Sequence, residues 1–326
     1  MNCFFSAISD LDMKSLAWAR LRYKPSHLSG TSMIEENVEF ISNGLKLQGV
    51  VGLPDDLKPG EQRPAMVVLH GFGSTKNAQN VLGPVKELGA MGYITLRFDM
   101  QGCGESEGRR GHLICLDQVQ NTKDAWTLLN AHPRVQASRV GLIGSSFGAA
   151  VAMYTGATDP RVALVISSGG WGHGERKFKG QHHTKEAWRN FRNMLLKGRR
   201  HHIKTGESMM VDRHEIVPIP HGLTHQVVHG SLQKFTFETA QSMMDFKAEE
   251  VIHQLAPRPL LLLHSSNDSV TPTEQSLEVF KRAGAHADLH LFADTDHFML
   301  AEGNRRVWHV VKDWLDLQLP LHPVKA

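Results

Sequence analysis

Between Met33 and Pro54 the chain reads MIEENVEFISNGLKLQGVVGLP, with apolar and polar positions alternating on both sides of Asn43-Gly44. Successive side chains of a strand point to opposite faces, and Asn-Gly supplies two residues that tolerate positive φ, so this stretch predicts a β-hairpin. Downstream, the short apolar runs AMVVLH, YITLRFDM, RVGLIGS, VALVISS, PLLLLHSS and DLHLFA alternate with stretches of helical period. The helices are expected near 77–91, near 116–131, from Phe147 onward, near 273–283 and near 305–319. Continuous apolar strands alternating with helices predict an α/β fold with a mostly parallel central sheet and helices on both faces.

The alternation is interrupted between VALVISS and PLLLLHSS. Residues 33–169 and 257–326 therefore read as one core, with 170–256 inserted as a helical cap. Within it, TKEAWRNFRNMLLKG places Trp188, Phe191 or Arg192, and Leu195 at helical spacing, giving an apolar face and a basic one. That apolar face either closes over the active site or packs on the core as an ordinary helix. Residues 1–32 carry one helical stretch, about Leu11 to Leu21, and then Pro25, Ser29 and Gly30, and read as a loosely attached arm.

Composition narrows the setting. The 326 residues are 41% apolar and 21% charged, which suits a globular chain, and no apolar run approaches the ~18 residues of a membrane span. The opening MNCFFSAISD lacks the pattern of a secretion signal, so a cytoplasmic location is expected. Cys3, Cys103 and Cys115 are odd in number and have no CxxC spacing, so they read as free thiols. A net charge of +3 is too small to argue for nucleic acid or a membrane as partner, although basic residues crowd the stretch from Arg176 to Arg213.

The chemistry centres on RVGLIGSSFGAAVAMY. The serines fall on the turn between a buried strand and a helix, at the carboxyl edge where open α/β sheets bind ligands. A nucleophile on such a turn needs small residues two positions before and after it. Ser146 has Gly144 and Gly148 there, whereas Ser145 would have Ile143 and Phe147, so Ser146 is the candidate nucleophile. Its partners are expected in the order acid, then histidine: Asp268 in the loop ending one later strand, and His297 in the loop ending the last. His297 would take the serine proton, Asp268 would orient the imidazole, and the main-chain N–H groups of Phe147 and Phe72 would receive negative charge on the carbonyl oxygen.

These residues resemble the α/β-hydrolase superfamily over about Glu36 to Leu319. The resemblance rests on the His-Gly-x-Gly loop at His70 to Gly73, the elbow at Gly144 to Gly148, Asp268, His297, and the DMQGCGESEG loop from Asp99 to Gly108. That last loop resembles one found in the esterase and peptidase branches, with Gln101 where arginine is common; the chain is also generally similar to dienelactone hydrolases. The resemblance implies a serine hydrolase with no cofactor, acting on a small-molecule ester or, alternatively, an amide or peptide; a non-catalytic binding protein on the same fold is the remaining class.

Competing residues have plainer readings. Asp294 and Asp296 flank His297 and read as loop groups, and Cys103 as a buried thiol rather than a nucleophile. Trp171, Trp188, Phe191, Arg192 and Met209 are the candidate substrate-binding residues of the cap. The cap histidines include the pairs His221/His225 and His225/His229, but prolines and glycines surround them and no HExxH pattern is present, so no metal is expected.

Overall fold

The computed structural model describes residues 25–27, 33–220, 222–223 and 230–322. Nine strands form one sheet in the order β1-β2-β3-β5-β4-β6-β7-β10-β11. They are β1 Pro25–His27, β2 Met33–Ser42, β3 Leu45–Pro54, β4 Arg63–Leu69, β5 Ile94–Phe98, β6 Val135–Ser145, β7 Val165–Ser168, β10 Leu260–Ser265 and β11 Ala287–Phe292. Pairing is antiparallel from β1 to β5 and parallel from β5 through β11.

The hairpin forms at the expected residues. Asn43 and Gly44 have φ of 50° and 75°, the paired positive values that let a two-residue turn match the twist of β2 and β3. Of the predicted arm, only residues 25–27 are described, and they add an edge strand beside β2; the helix expected near Leu11 to Leu21 lies outside the described residues.

Strands β4, β5, β7 and β10 are buried at every position, which explains their uninterrupted apolar runs. Neighbouring residues of one strand serve opposite faces. Met66, Val68, Ile143 and Leu263 pack with helices α1 (Gln79–Ala90) and α10 (Arg305–Gln318), while Ala65, Val67, Leu142 and Leu262 pack with α2 (Cys115–Asn130) and α3 (Phe147–Thr158). The chain leaves β4 toward β5 on one side and β6 toward β7 on the other. The strand order therefore reverses between β4 and β6, which opens a crevice at their carboxyl ends.

Between β7 and β10 lie α4 (Gly174–Gln181), α5 (Lys185–Thr205), a ribbon of β8 (Met210–Asp212) and β9 (Lys234–Thr236), α6 (Arg213–Ile216), α7 (Phe237–Asp245), α8 (Ala248–Val251), a 3₁₀ turn at Ile252–Leu255, and α9 (Glu274–Ala283) follows β10. Helix α5 starts where Thr184 Oγ1 accepts from the N–H of Ala187 at 3.0 Å, and stops at Gly206, whose φ of 75° suits glycine. Phe191, Met194 and Leu195 form its buried face. This segment shares one continuous apolar cluster with the α2/α3 side of the sheet, through Phe178, Phe191, Phe235, Phe237 and Met243.

Candidate active site

Ser146 lies between the last residue of β6 and the first of α3, with φ of 56° and ψ of −114°. That conformation is strained for a residue with a side chain, and the surroundings hold it there. The Ser146 N–H donates to the carbonyl of Ser168 at 2.8 Å, tying the turn to β7. Strand and helix then crowd together: a Cβ on Gly144 would run into the main chain of Gly148, and one on Gly148 would lie 2.6 Å from the carbonyl oxygens of Leu69 and His70. Ser145 is buried on the end of β6, whereas Ser146 opens into a cavity of about 40 Å³ that His297 also lines.

His297 is buried and its Nδ1 lies 2.8 Å from Asp268 Oδ2 and 3.1 Å from Oδ1. The Asp268 side chain is fully buried. Burial penalises its charge, but the nearby His297 and a hydrogen bond from His264 outweigh that cost and hold the carboxyl well below the usual carboxylate range. The N–H groups of Val270 and Thr271 add further donors at 2.8 and 2.7 Å. Asp296 serves the loop instead, accepting from the N–H groups of Ser269 and His297 at 2.9 and 2.8 Å and from the Ser269 hydroxyl at 2.7 Å. Gly169, after β7, permits the close approach: a Cβ there would sit 3.2 Å from the imidazole of His297.

His264 was not anticipated, yet it braces the acid. Its Nε2 lies 2.9 Å from the carbonyl of Thr271 and 3.3 Å from Asp268 Oδ2, two acceptors, so Nε2 carries the proton. Its Nδ1 then accepts from the hydroxyl of Ser276 at 2.6 Å. A histidine inside the apolar strand LLLLHSS was the readable signal, since a buried imidazole needs partners.

Opposite Ser146 runs the loop after β4. His70 anchors it, its Nδ1 lying 2.8 Å from the carbonyl of Gly71 while Nε2 accepts from the N–H of Met100 at 3.1 Å. Burial lowers the pKa of this imidazole, keeping it neutral. Asp99 ties the same loop to the DMQGCGESEG turn through the Lys76 N–H at 2.6 Å, Lys76 Nζ at 2.7 Å and the Glu105 N–H at 2.9 Å. Gln101 joins a polar cluster with Asn43, Asn121 and Asp117. Among the described residues, the main-chain N–H groups of Phe72 and Phe147 donate to no protein acceptor, and their rings lie 6.0 Å apart beside the elbow.

The inserted segment meets the cavity through Arg213, Val217, Ile219 and Ser231. Sequence reasoning named other residues. Trp171 is buried against Phe147 at 5.7 Å, Phe191 stacks on Phe178 at 4.7 Å and on Trp188 at 5.8 Å, Met209 is half-buried, and Arg192 faces solvent. None of these five lines the cavity. Cys103 is buried, and burial pushes its thiol up to about 12, a poor setting for a thiolate. Among the described residues no three metal-binding side chains are grouped as ligands, and no helix is long and apolar enough to cross a membrane. His221, His225 and His229 lie outside the described residues.

Comparison with known proteins bears on the fold and the family. An uncharacterised 31.7 kDa protein from the traX-finO intergenic region of Escherichia coli is 26% identical over 268 residues, covering 79% of this chain and 92% of that one. The crystal structure of hypothetical protein PA2218 from Pseudomonas aeruginosa superposes with a TM-score of 0.76 at 21% identity, covering 92% of this chain and 100% of that one. The Pyrococcus furiosus esterase Pf2001 superposes with a TM-score of 0.60 at 16% identity, over 91% of this chain and 98% of that one. Residues 60–304, which span the crevice loop, the elbow and both later loops, match the family described as serine aminopeptidase, S33. The chain therefore belongs to that family of α/β hydrolases.

Proposed function

We propose that this protein is a serine hydrolase that cleaves a small-molecule carboxylic ester through an acyl-enzyme, with Ser146, His297 and Asp268 as its catalytic residues. The observation that carries the reading is the strained Ser146 opening into the same cavity as an imidazole already hydrogen-bonded to a buried carboxylate. A serine hydroxyl is a weak nucleophile at neutral pH. Nε2 of His297, the nitrogen not bonded to Asp268, removes its proton during attack on the ester carbonyl and returns it to the departing alcohol. Asp268 fixes the tautomer with the proton on Nδ1 and stabilises the imidazolium. The free N–H groups of Phe72 and Phe147 donate to the developing oxyanion, and because they are main-chain donors already in place they need no reorganisation during the reaction. Water then attacks the acyl group on Ser146 by the same route in reverse. Every role is filled by a protein group, so the reading requires no cofactor and no metal, and its substrate is a small molecule rather than nucleic acid or a membrane.

Cleavage of an amide or peptide bond is the second reading, favoured by the family's description as aminopeptidases. Matched 4-nitrophenyl esters and 4-nitroanilides of the same acyl groups separate the two. The ester reading expects turnover of esters alone, together with fluorophosphonate labelling that maps to Ser146. Turnover of anilides at comparable kcat/KM replaces it with the amide reading, and absence of labelling in folded protein removes both.

A further inference from the structure

Arg213 is a cation in the cavity without an acid. Its Nη1 donates to the carbonyl of Leu232 at 3.0 Å and its Nη2 to the carbonyl of Phe72 at 2.8 Å, with the guanidinium 5.1 Å from the ring centre of Phe72. Its Nε is sealed from solvent and donates to nothing. Arg97 pairs with Glu35 at 2.8 Å and Lys76 with Asp99 at 2.7 Å, whereas Arg213, like the buried Lys177 away from the cavity, forms no ion pair among the described residues. The neighbouring stretch 224–229, THQVVH, contains no Asp or Glu that would supply one. Arg258 also lacks an acid, but carbonyls of Gly156, Asp159, Val162 and Gln254 take its N–H groups and it lies away from the cavity. Burial pushes the Arg213 guanidinium down to about 10, so it keeps its charge at neutral pH.

Two further orphans share the wall. Ser74 Oγ and Asn80 Oδ1 are sealed from solvent without a hydrogen-bond partner, and both residues line the cavity with Arg213. Gly71 lies between Asn80 and the nucleophile: a Cβ there would be 3.5 Å from Asn80 Nδ2 and 4.0 Å from Ser146 Cβ. Unsatisfied buried polar atoms are costly, and three of them on residues that line one cavity mark groups that a ligand completes once a small shift of those side chains uncovers them.

We propose that Arg213, with Ser74 and Asn80, forms a subsite for a free carboxylate on the acyl part of the substrate, so that the preferred substrates are short esters of dicarboxylic acids. The inference rests on the cavity being the acyl site of the hydrolase. A guanidinium whose Nε is unpaired offers the carboxylate a charge-assisted donor, the Ser74 hydroxyl supplies a neutral one, and the Asn80 carbonyl accepts from a hydroxyl on the chain when one is present. The narrow cavity favours a short acyl group. Asp268, the carboxylate of the catalytic group, is held by His297, Val270 and Thr271 and leaves the cation uncompensated.

The test compares 4-nitrophenyl hydrogen glutarate with 4-nitrophenyl pentanoate. Wild-type protein is expected to favour the glutarate in kcat/KM by about tenfold or more, and Arg213→Gln to lower that ratio by about tenfold, with Arg213→Lys in between. A wild-type ratio near one overturns the subsite whatever the variants do. An equal fall on both esters in Arg213→Gln also overturns it, leaving Arg213 as a brace for the Phe72 loop. Glutarate binding to Ser146→Ala protein, followed by calorimetry, is read without catalysis: binding that vanishes in Ser146→Ala/Arg213→Gln supports the subsite even if no ester is cleaved, in which case the hydrolase reading falls alone. Ester cleavage with no glutarate binding does the opposite.

Discussion

The carboxyl edge of the sheet and the segment inserted beyond it place their side chains by different constraints. At the edge, Ser146, Asp268 and His297 each follow a strand of one sheet, and hydrogen-bond ladders hold those strands at fixed spacing, so the meeting of the loops follows from element order. In the insertion, Trp188, Phe191 and Leu195 share a helix face as their period requires, and Phe191 and Leu195 are buried on it. That face covers Phe178 and His182 rather than the cavity. The cavity is reached by Arg213, Val217, Ile219 and Ser231, from the short α6 turn and the irregular chain around it. Periodicity tells which residues lie together on a helix and is silent on what they lie against.

The contrast breaks most sharply at the edge. Ser146→Ala is expected to lower kcat by about 10³-fold or more, while Ser145→Ala, altering the buried residue beside the nucleophile, keeps most activity. Asp268→Asn should cost about 10²- to 10⁴-fold, and Asp296→Asn, whose carboxylate bonds the main chain and the Ser269 hydroxyl rather than an imidazole, much less. Steady-state kinetics on an activated ester checks both pairs; equal losses within either pair would mean that strand-end geometry does not select the acting residue.

A middle-sized effect concerns stability in the insertion. Lys177 on α4 is buried with Nζ 4.1 Å from the ring centre of Phe178 and 4.8 Å from that of Trp171, and burial pushes its ammonium down to about 7 against the pull of Cys115 and Asp268. The unfolded chain, with an ordinary lysine near pKa ~10.4, binds that proton more tightly, so this residue's contribution to stability is lowest below about pH 7 and rises until about pH 10. Denaturant unfolding of wild type and Lys177→Met should therefore show the variant's relative advantage greatest near about pH 6 and shrinking toward about pH 10. A pH-independent difference would show that Lys177 keeps an ordinary proton affinity in the fold.

The smallest effect is expected at Arg192. It faces solvent on α5, so Arg192→Ala should alter unfolding free energy by about 0.5 kcal/mol or less and leave the ranking of an ester panel unchanged. A changed ranking would mean that the outer face of α5 meets substrate, which would erase the difference between the two regions.

Much of the fold was readable because its signals are local. Asn43-Gly44 fixes a turn through two positive φ values, apolar runs fix buried strands, and Gly144 and Gly148 fix which serine occupies the elbow. Asp268 stood out from Asp294 and Asp296 for a similar reason, since a residue adjacent to His297 in the chain has its backbone direction already committed. His264 left a faint signal, while Arg213 left none that set it apart among the basic residues from Arg176 onward.

The sequence by itself determined the order of strands and helices, the elbow and the loops that carry Asp268 and His297, because these follow from backbone constraints acting over a few residues. Only the tertiary structure decided that His264 braces Asp268, that the apolar face of α5 packs away from the cavity, and that Arg213 rather than Arg192 lines the cavity with Ser146. Those outcomes depend on packing between segments far apart in the chain, where burial and hydrogen-bond satisfaction choose among side chains whose local patterns are alike.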